Sequence, residues 1–203
     1  MIRLPTNPQN PQSRNIQQAI DVLRDGGLLI YPTDTVYGLG CDLFNKKAVE
    51  RIYHIKGFKK KSRLSFICPD LKNIAKYAHV STPSYKIMRR LLPGPYTFIL
   101  EATRQVPKIL LEKRKTVGIR VPDNIVCHTL LEEFGHPIIS TSATRPGDSY
   151  INDPEDIAEL FQHQVDLFID CDVGGLEPST VINMTGDTPE ILREGKGFHI
   201  ELS

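Results

Sequence analysis

A run of four apolar residues that ends at a proline constrains this chain more than any other stretch. Leu28 to Tyr31 has the length and composition of a buried strand. Pro32 ends it, because proline has no N–H to give to a neighbouring strand. Directly after come Thr33-Asp34-Thr35, two hydroxyls around a carboxylate, and then Gly38 and Gly40, which permit backbone paths that side chains forbid. A strand that delivers such a cluster onto a glycine-punctuated turn has the anatomy of a ligand-binding edge in an α/β sheet. Taken alone, the same tripeptide also reads as a turn that satisfies its own backbone.

The flanking sequence alternates helix and strand signals. Residues 13–25 carry Ile16, Ala19, Ile20 and Leu23 at helical spacing, with Ser13 as the expected N-cap and Gly26 as the stop. Asn45 is placed to cap a second helix that reaches Lys56 and ends at Gly57. Pro69-Asp70 and Pro83-Ser84 open two short helices, Asn124 to Phe134 forms another, and Asp153-Pro154-Glu155 starts a further one. Apolar runs at 64–68, 96–100, 116–121, 137–140, 165–169, 179–182, 190–193 and 198–202 read as short strands. With no repeats and no linker, this interleaving predicts a single α/β domain over residues 1–203, its core at about 12–200. Several late strands follow one another through short turns, so the predicted sheet is twisted and mixed, with flanking helices.

A chain of 203 residues can bury a full core. Its 25 Lys and Arg nearly balance its 24 Asp and Glu, so affinity for a polyanion has to come from a local patch. No apolar run approaches the ~20 residues that span a bilayer, and Met1-Ile2-Arg3-Leu4-Pro5 lacks the apolar segment of a secretory signal. Cys41, Cys68, Cys127 and Cys171 are far apart and flanked by apolar residues, which predicts reduced thiols in a cytoplasmic protein. The six histidines are scattered, and no metal site is readable.

Hydroxyls gather where the predicted strands end: Thr33 and Thr35, Ser140 to Ser142, and Ser179 with Thr180. Cations are placed similarly, with Lys56 at a helix end and Arg120 and Arg193 near strand ends. The run Lys59, Lys60, Lys61 and Arg63 has two readings, a solvated loop or a set of phosphate contacts. There is no nucleophile elbow and no phosphate-binding Gly-x-x-x-x-Gly-Lys-Ser/Thr loop. Hydroxyls and cations without a nucleophile suit chemistry on phosphates and carboxylates by positioning and charge stabilisation.

The motifs Pro32-Thr33-Asp34-Thr35-Val36-Tyr37-Gly38-Leu39-Gly40, Ile55-Lys56-Gly57, Pro93-Gly94-Pro95-Tyr96-Thr97, Val117-Gly118-Ile119-Arg120-Val121-Pro122, Thr141-Ser142-Ala143, Ser179-Thr180-Val181 and Arg193-Glu194-Gly195 occur in one order. Over essentially the whole chain they resemble the YrdC/YciO family. The resemblance implies a twisted α/β sheet with a positively charged concave face. It also implies threonylcarbamoyl-AMP synthesis from ATP, L-threonine and bicarbonate, with pyrophosphate released and the product destined for tRNA. By that resemblance Thr33 or Thr35 and Arg120 hold threonine, with Ser140 and Ser179 nearby. Lys56, Ser142, Thr144 and Arg193 face the nucleotide, Lys56 and Arg120 act at the reacting groups, and magnesium rides mainly on the phosphates. Asp34 is the nearby carboxylate. The synthases carry Lys-x-Arg and Ser-x-Asn where this chain has Lys56-Gly57-Phe58 and Ser142-Ala143-Thr144, departures that resemble the YciO branch. A different reading gives the same basic face to tRNA, rRNA or double-stranded RNA, with Lys59, Lys60, Lys61 and Arg63 as phosphate contacts.

Overall fold

Asn45, Asp70, Ser81, Asn124 and Asp153 each stand one residue ahead of a helix, and each side-chain oxygen accepts a backbone N–H from the first turn. These caps start α2 (Lys46–Ile55), α3 (Leu71–Tyr77), α4 (Thr82–Leu91), α5 (Ile125–Phe134) and α6 (Pro154–Phe161). In α1 (Ser13–Arg24) the expected cap is displaced: Ser13 is already helical, and Gln12 occupies the cap position without a side-chain bond to the helix. Gln12 instead accepts the Asn7 N–H at 3.2 Å and so ties down the leading segment. Gly135, at φ +90°, ends α5 as a left-handed cap.

The structure is a computed structural model that describes residues 1–57, 64–111 and 115–197. Among these residues the strands are β1 (Ile2–Pro5), β2 (Leu29–Tyr31), β3 (Gly38–Gly40), β4 (Ser65–Ile67), β5 (Ala78–His79), β6 (Tyr96–Ala102), β7 (Thr116–Arg120), β8 (Ile138–Ser142), β9 (Leu167–Asp170), β10 (Thr180–Asn183) and β11 (Glu190–Arg193). They form one open mixed sheet in the order β1-β9-β2-β3-β8-β4-β7-β6-β10-β11, with β5 paired to β6. The pairs β1–β9, β2–β9, β4–β7 and β6–β10 are parallel, and the others are antiparallel. Phe58, the basic run at 59–63 and the strand expected at 198–202 lie outside the described residues.

Three short strands carry no sequence signal. β1 lies ahead of residue 12 and joins the sheet beside β9, held by Arg3, which bonds Asp170 and Glu155, both at 2.7 Å. β5 spans two residues. In β3 the glycines act through close approach rather than as a turn. A Cβ on Gly38 would stand 2.8 Å from the Tyr31 ring, and one on Gly40 would collide with the Ile139 carbonyl oxygen. Leu39 between them is fully buried.

Side chains alternate between the two faces of the sheet. Ile30, Leu39, Phe66, Phe98, Ile119, Ile139 and Phe168 fill one face, against Val49 and Ile52 of α2, Ile74, Met88 and Ile157. On the other face Leu29, Tyr31, Ile67, Ile138, Leu167 and Ile169 pack under α1 and α5. Further along that second face the strands turn small and hydroxylated. The four cysteines are free and buried in these cores. No helix among the described residues is long and apolar enough to cross a membrane.

The Gly40 contact can be tested. Gly40→Ala should destabilise the fold by about 1–3 kcal/mol through overpacking, lowering Tm in thermal unfolding by about 2–4 °C for each kcal/mol.

Candidate functional site

The uncovered part of the second face is the floor of a cleft of about 630 Å³. Its rows follow from strand register. Ser140, Ser65, Gly118 and Ile99 stand opposite one another across β8, β4, β7 and β6, and Thr97, Val181 and Arg193 across β6, β10 and β11. Gly118 keeps the floor low: a Cβ there would meet the Ser65 Cβ at 3.0 Å and the Thr97 methyl at 3.3 Å. The hydroxyls expected at strand ends therefore lie partly on a sheet face, because period-2 alternation turns Ser140 and Ser142, or Gly118 and Arg120, to the same side. Thr33, Thr35, Lys56, Arg120, Ser140, Ser142, Thr144, Ser179 and Arg193 all line this one cleft.

Thr33 and Thr35 sit on the turn between β2 and β3. The Thr33 hydroxyl donates to the Val36 carbonyl (2.7 Å) and accepts the Thr35 N–H (3.1 Å), so the turn does satisfy its own backbone while also walling the cleft. Two other loops grip it from outside: the Gly175 N–H donates to the Thr35 carbonyl at 2.9 Å and the Lys196 ammonium to the Asp34 carbonyl at 2.6 Å. The loop carrying Gly175 is pinned by Tyr37, whose hydroxyl accepts the Cys171 N–H (3.0 Å) and donates to the Asp172 carbonyl (2.9 Å).

Arg120, at the end of β7, pairs through Nη2 with Asp34 Oδ1, both side chains only 9% exposed. The partner is thus a buried carboxylate from the opening motif, not one at the surface. Arg120 Nε and Asp34 Oδ2 are buried and, among the described residues, have no hydrogen-bond partner. A buried donor and acceptor left open beside each other are costly unless something polar completes them.

Lys56 caps the C-terminus of α2 and is 4% exposed. Its ammonium donates to the Ser142 carbonyl (3.0 Å), to the Ser142 hydroxyl (3.4 Å) and to the Thr144 carbonyl, fixing the chain that leaves β8. Burial pushes the Lys56 ammonium down from the ordinary 10.5 of a lysine to about 8. Arg193 forks onto the Ser179 carbonyl through Nε (3.1 Å) and Nη2 (2.8 Å), and the Ser179 and Thr97 hydroxyls are 2.8 Å apart.

Ser65, Thr97, Tyr37 and the 145–150 segment also line or support the cleft. Ser65 is a single hydroxyl within an apolar strand and leaves no mark in the sequence, and Thr97 figures there only as the end of the Pro93-Gly94-Pro95-Tyr96-Thr97 motif. Register alone turns them inward. Lys59, Lys60, Lys61 and Arg63 lie outside the described residues. No group of three His, Cys, Asp or Glu gathers among the described residues, and Asp148 is the one carboxylate among those lining the cleft.

An open mixed sheet with helices on one face, and a hydroxyl- and cation-lined cleft on the uncovered part of the other, defines an α/β protein equipped for small anionic or zwitterionic ligands. The Sua5/YciO/YrdC family profile, described as telomere recombination, matches residues 21–195, and the chain belongs to that family. It is 44% identical over 193 residues to the YciO protein of Escherichia coli K12, covering 94% of each chain. It is 30% identical over 184 residues to the threonylcarbamoyl-AMP synthase of Vibrio vulnificus, covering 89% of this chain and 98% of that one. The crystal structure of E. coli YciO superposes with a TM-score of 0.93 at 43% identity, over 97% of both chains. Pyrococcus abyssi Sua5 complexed with L-threonine superposes with a TM-score of 0.90 at 28% identity, over 96% of this chain and 58% of the Sua5 chain.

Two outcomes follow from the ionic contacts. Asp34→Ala leaves the buried Arg120 charge uncompensated and should cost about 3–5 kcal/mol in denaturant unfolding. The unfolded chain holds the Lys56 proton more tightly than the folded one, so this lysine makes stability rise from about pH 8 to about 10.5. That component of the pH–stability curve should be missing from Lys56→Met when the two proteins are compared across the window.

Proposed function

We propose that the cleft is a threonylcarbamoyl-AMP synthase site, binding ATP and L-threonine and joining them through bicarbonate. The observation that carries this reading is the gathering of Lys56, Arg120 and Arg193 with a floor of hydroxyls in one cleft. The L-threonine complex of Sua5 and the synthase relatives support it. The amine of threonine takes up bicarbonate as a carbamate with loss of water. A carbamate oxygen then attacks the α-phosphorus of ATP, the bond to the β-phosphate oxygen breaks, and its electron pair leaves with pyrophosphate. Nothing in these steps needs a protein nucleophile. They need two anions held close together and charge stabilisation on the leaving group.

Thr33, Thr35, Arg120, Ser140 and Ser179 take the amino acid in this reading. The unpartnered Arg120 Nε and Asp34 Oδ2 suit a ligand with both a carboxylate and an ammonium. Lys56, Ser142, Thr144 and Arg193 take the nucleotide, and Lys56 and Arg120 act nearest the reacting groups. Asp148 is the one carboxylate among the residues that line the cleft, too few for a metal cage, so magnesium would be carried by the triphosphate and would supply charge neutralisation there. Phe58 and Thr144 stand where the synthases carry arginine and asparagine, which removes a planar fork and an amide from the nucleotide side and predicts a slow enzyme.

The protein incubated with ATP, magnesium, bicarbonate and L-threonine should release pyrophosphate in a threonine-dependent manner and form threonylcarbamoyl-AMP, resolved by mass spectrometry. Phe58→Arg with Thr144→Asn should raise the rate. No product from either protein above a no-enzyme control overturns the reading. ATP affinity should also weaken as pH rises through about 8, because Lys56 loses its charge there. Titration calorimetry of Lys56→Met should show affinity roughly ten- to a hundredfold lower and without that pH dependence.

A further inference from the structure

Arg145-Pro146-Gly147-Asp148 forms a type II turn at the rim of the cleft. The Asp148 N–H donates to the Arg145 carbonyl at 3.2 Å, Pro146 takes the second position, and Gly147 has the φ of +87° that the third requires. The turn is held at both sides. Lys56 fixes the chain leading into it through the Ser142 and Thr144 carbonyls. Pro146 stands against the end of α2, where a Cβ on Gly57 would lie 3.8 Å from its ring. This rigid corner presents two exposed, oppositely charged side chains, and both line the cleft.

The cleft's other described cations are committed to protein acceptors: Lys56 to carbonyls of the 142–144 segment, Arg193 to Ser179, and Arg120 to Asp34. Among the described residues, the Arg145 guanidinium makes no hydrogen bond or ion pair, and neither does the Asp148 carboxylate, although the two stand three residues apart on one turn. Surface charges with this freedom are ordinarily solvated. Here they face a cleft with Lys56 at the base of the same segment, on a turn whose conformation is already fixed.

We infer that this turn is the contact for the magnesium-bound polyphosphate tail of the nucleotide, with Arg145 pairing phosphate oxygens and Asp148 selecting the metal-bound form. The inference rests on the nucleotide half of the reading above. A guanidinium offers a planar pair of donors that matches two phosphate oxygens. A carboxylate on the same turn repels a bare triphosphate and tolerates one whose charge a divalent cation has reduced. Arg145 supplies affinity for the tail, and Asp148 makes that affinity depend on magnesium.

Titration calorimetry with ATP and AMP, each with magnesium and with chelator, tests both residues. Arg145→Ala should weaken magnesium-ATP roughly tenfold or more and leave AMP nearly unchanged, with Arg145→Lys intermediate. Asp148→Asn should bind magnesium-free ATP more tightly than the wild type and so narrow the ratio between the two conditions. Thermal unfolding verifies that these exposed-turn variants fold. Wild-type ATP affinity in Arg145→Ala, an equal loss for AMP, or an unchanged magnesium ratio in Asp148→Asn overturns the inference. A wild-type protein that binds magnesium-ATP through Arg145 yet forms no threonylcarbamoyl-AMP sinks the synthase reading and keeps this one. Product formation that ignores Arg145 does the reverse, and a wild-type protein that does not bind ATP overturns both.

Discussion

The alternation of side chains along the middle strands is the constraint on which the rest of the molecule depends. In β7, Val117 and Ile119 point into a core built with α2, α3 and α4, while Gly118 and Arg120 point the other way. The same division runs through Phe66 and Ser65, Phe98 and Thr97, and Ile139 and Ser140. One face is apolar throughout and must be covered to keep water from it. The second face is apolar only toward β1, β9 and β2, and α1 and α5 cover that part alone. A one-residue slip in any central strand would bury the hydroxyls and expose the aromatics, so cleft and core enforce a single register.

Three of the cleft's cations, Lys56, Arg120 and Arg193, are held by the protein rather than left as mobile arms. Lys56 lies across two carbonyls, Arg193 forks onto one, and Arg120 is tied to a carboxylate. Each contact restricts a long side chain whose ordering would otherwise cost entropy when a ligand arrives. Burial of the charge, against the pull of its carbonyl partners, explains the depressed lysine, which stays protonated at neutral pH but with a reduced margin. The opening turn is built on the same plan. Its hydroxyls bond locally, its carbonyls are gripped by Gly175 and Lys196, and its carboxylate reaches Arg120. Turn and cleft wall are one structure, so satisfying its own backbone does not keep the turn's Thr33 and Thr35 from facing the cleft.

The chain shares 44% identity with E. coli YciO and 30% with a threonylcarbamoyl-AMP synthase, and its Thr33, Thr35, Lys56, Arg120 and Arg193 line one cleft. The replaced positions, Phe58 and Thr144, follow Lys56 and Ser142 by two residues each. Thr144 lines the cleft from the segment that leaves β8, and such a loop tolerates change more readily than the strands of the floor, whose register is fixed.

Helix starts were legible because a cap is local chemistry: Asn45, Asp70, Asn124 and Asp153 satisfy donors within their own first turn. The apolar strands, the α/β class and the set of cleft hydroxyls and cations were legible for the same reason, each being written in a few adjacent residues. β1, β3 and β5 were not: β1 is placed by its distant partner β9, β3 is Gly-Leu-Gly with no apolar run, and β5 spans two residues. By itself, then, the sequence determined the elements, their alternation and the residue types available to a site. Tertiary structure alone decided that Arg120 meets Asp34, that Lys56 clamps the 142–144 segment, and that Ser65 and Thr97 join a common floor. Those contacts join residues up to 88 positions apart, and only strand order and register bring them within reach.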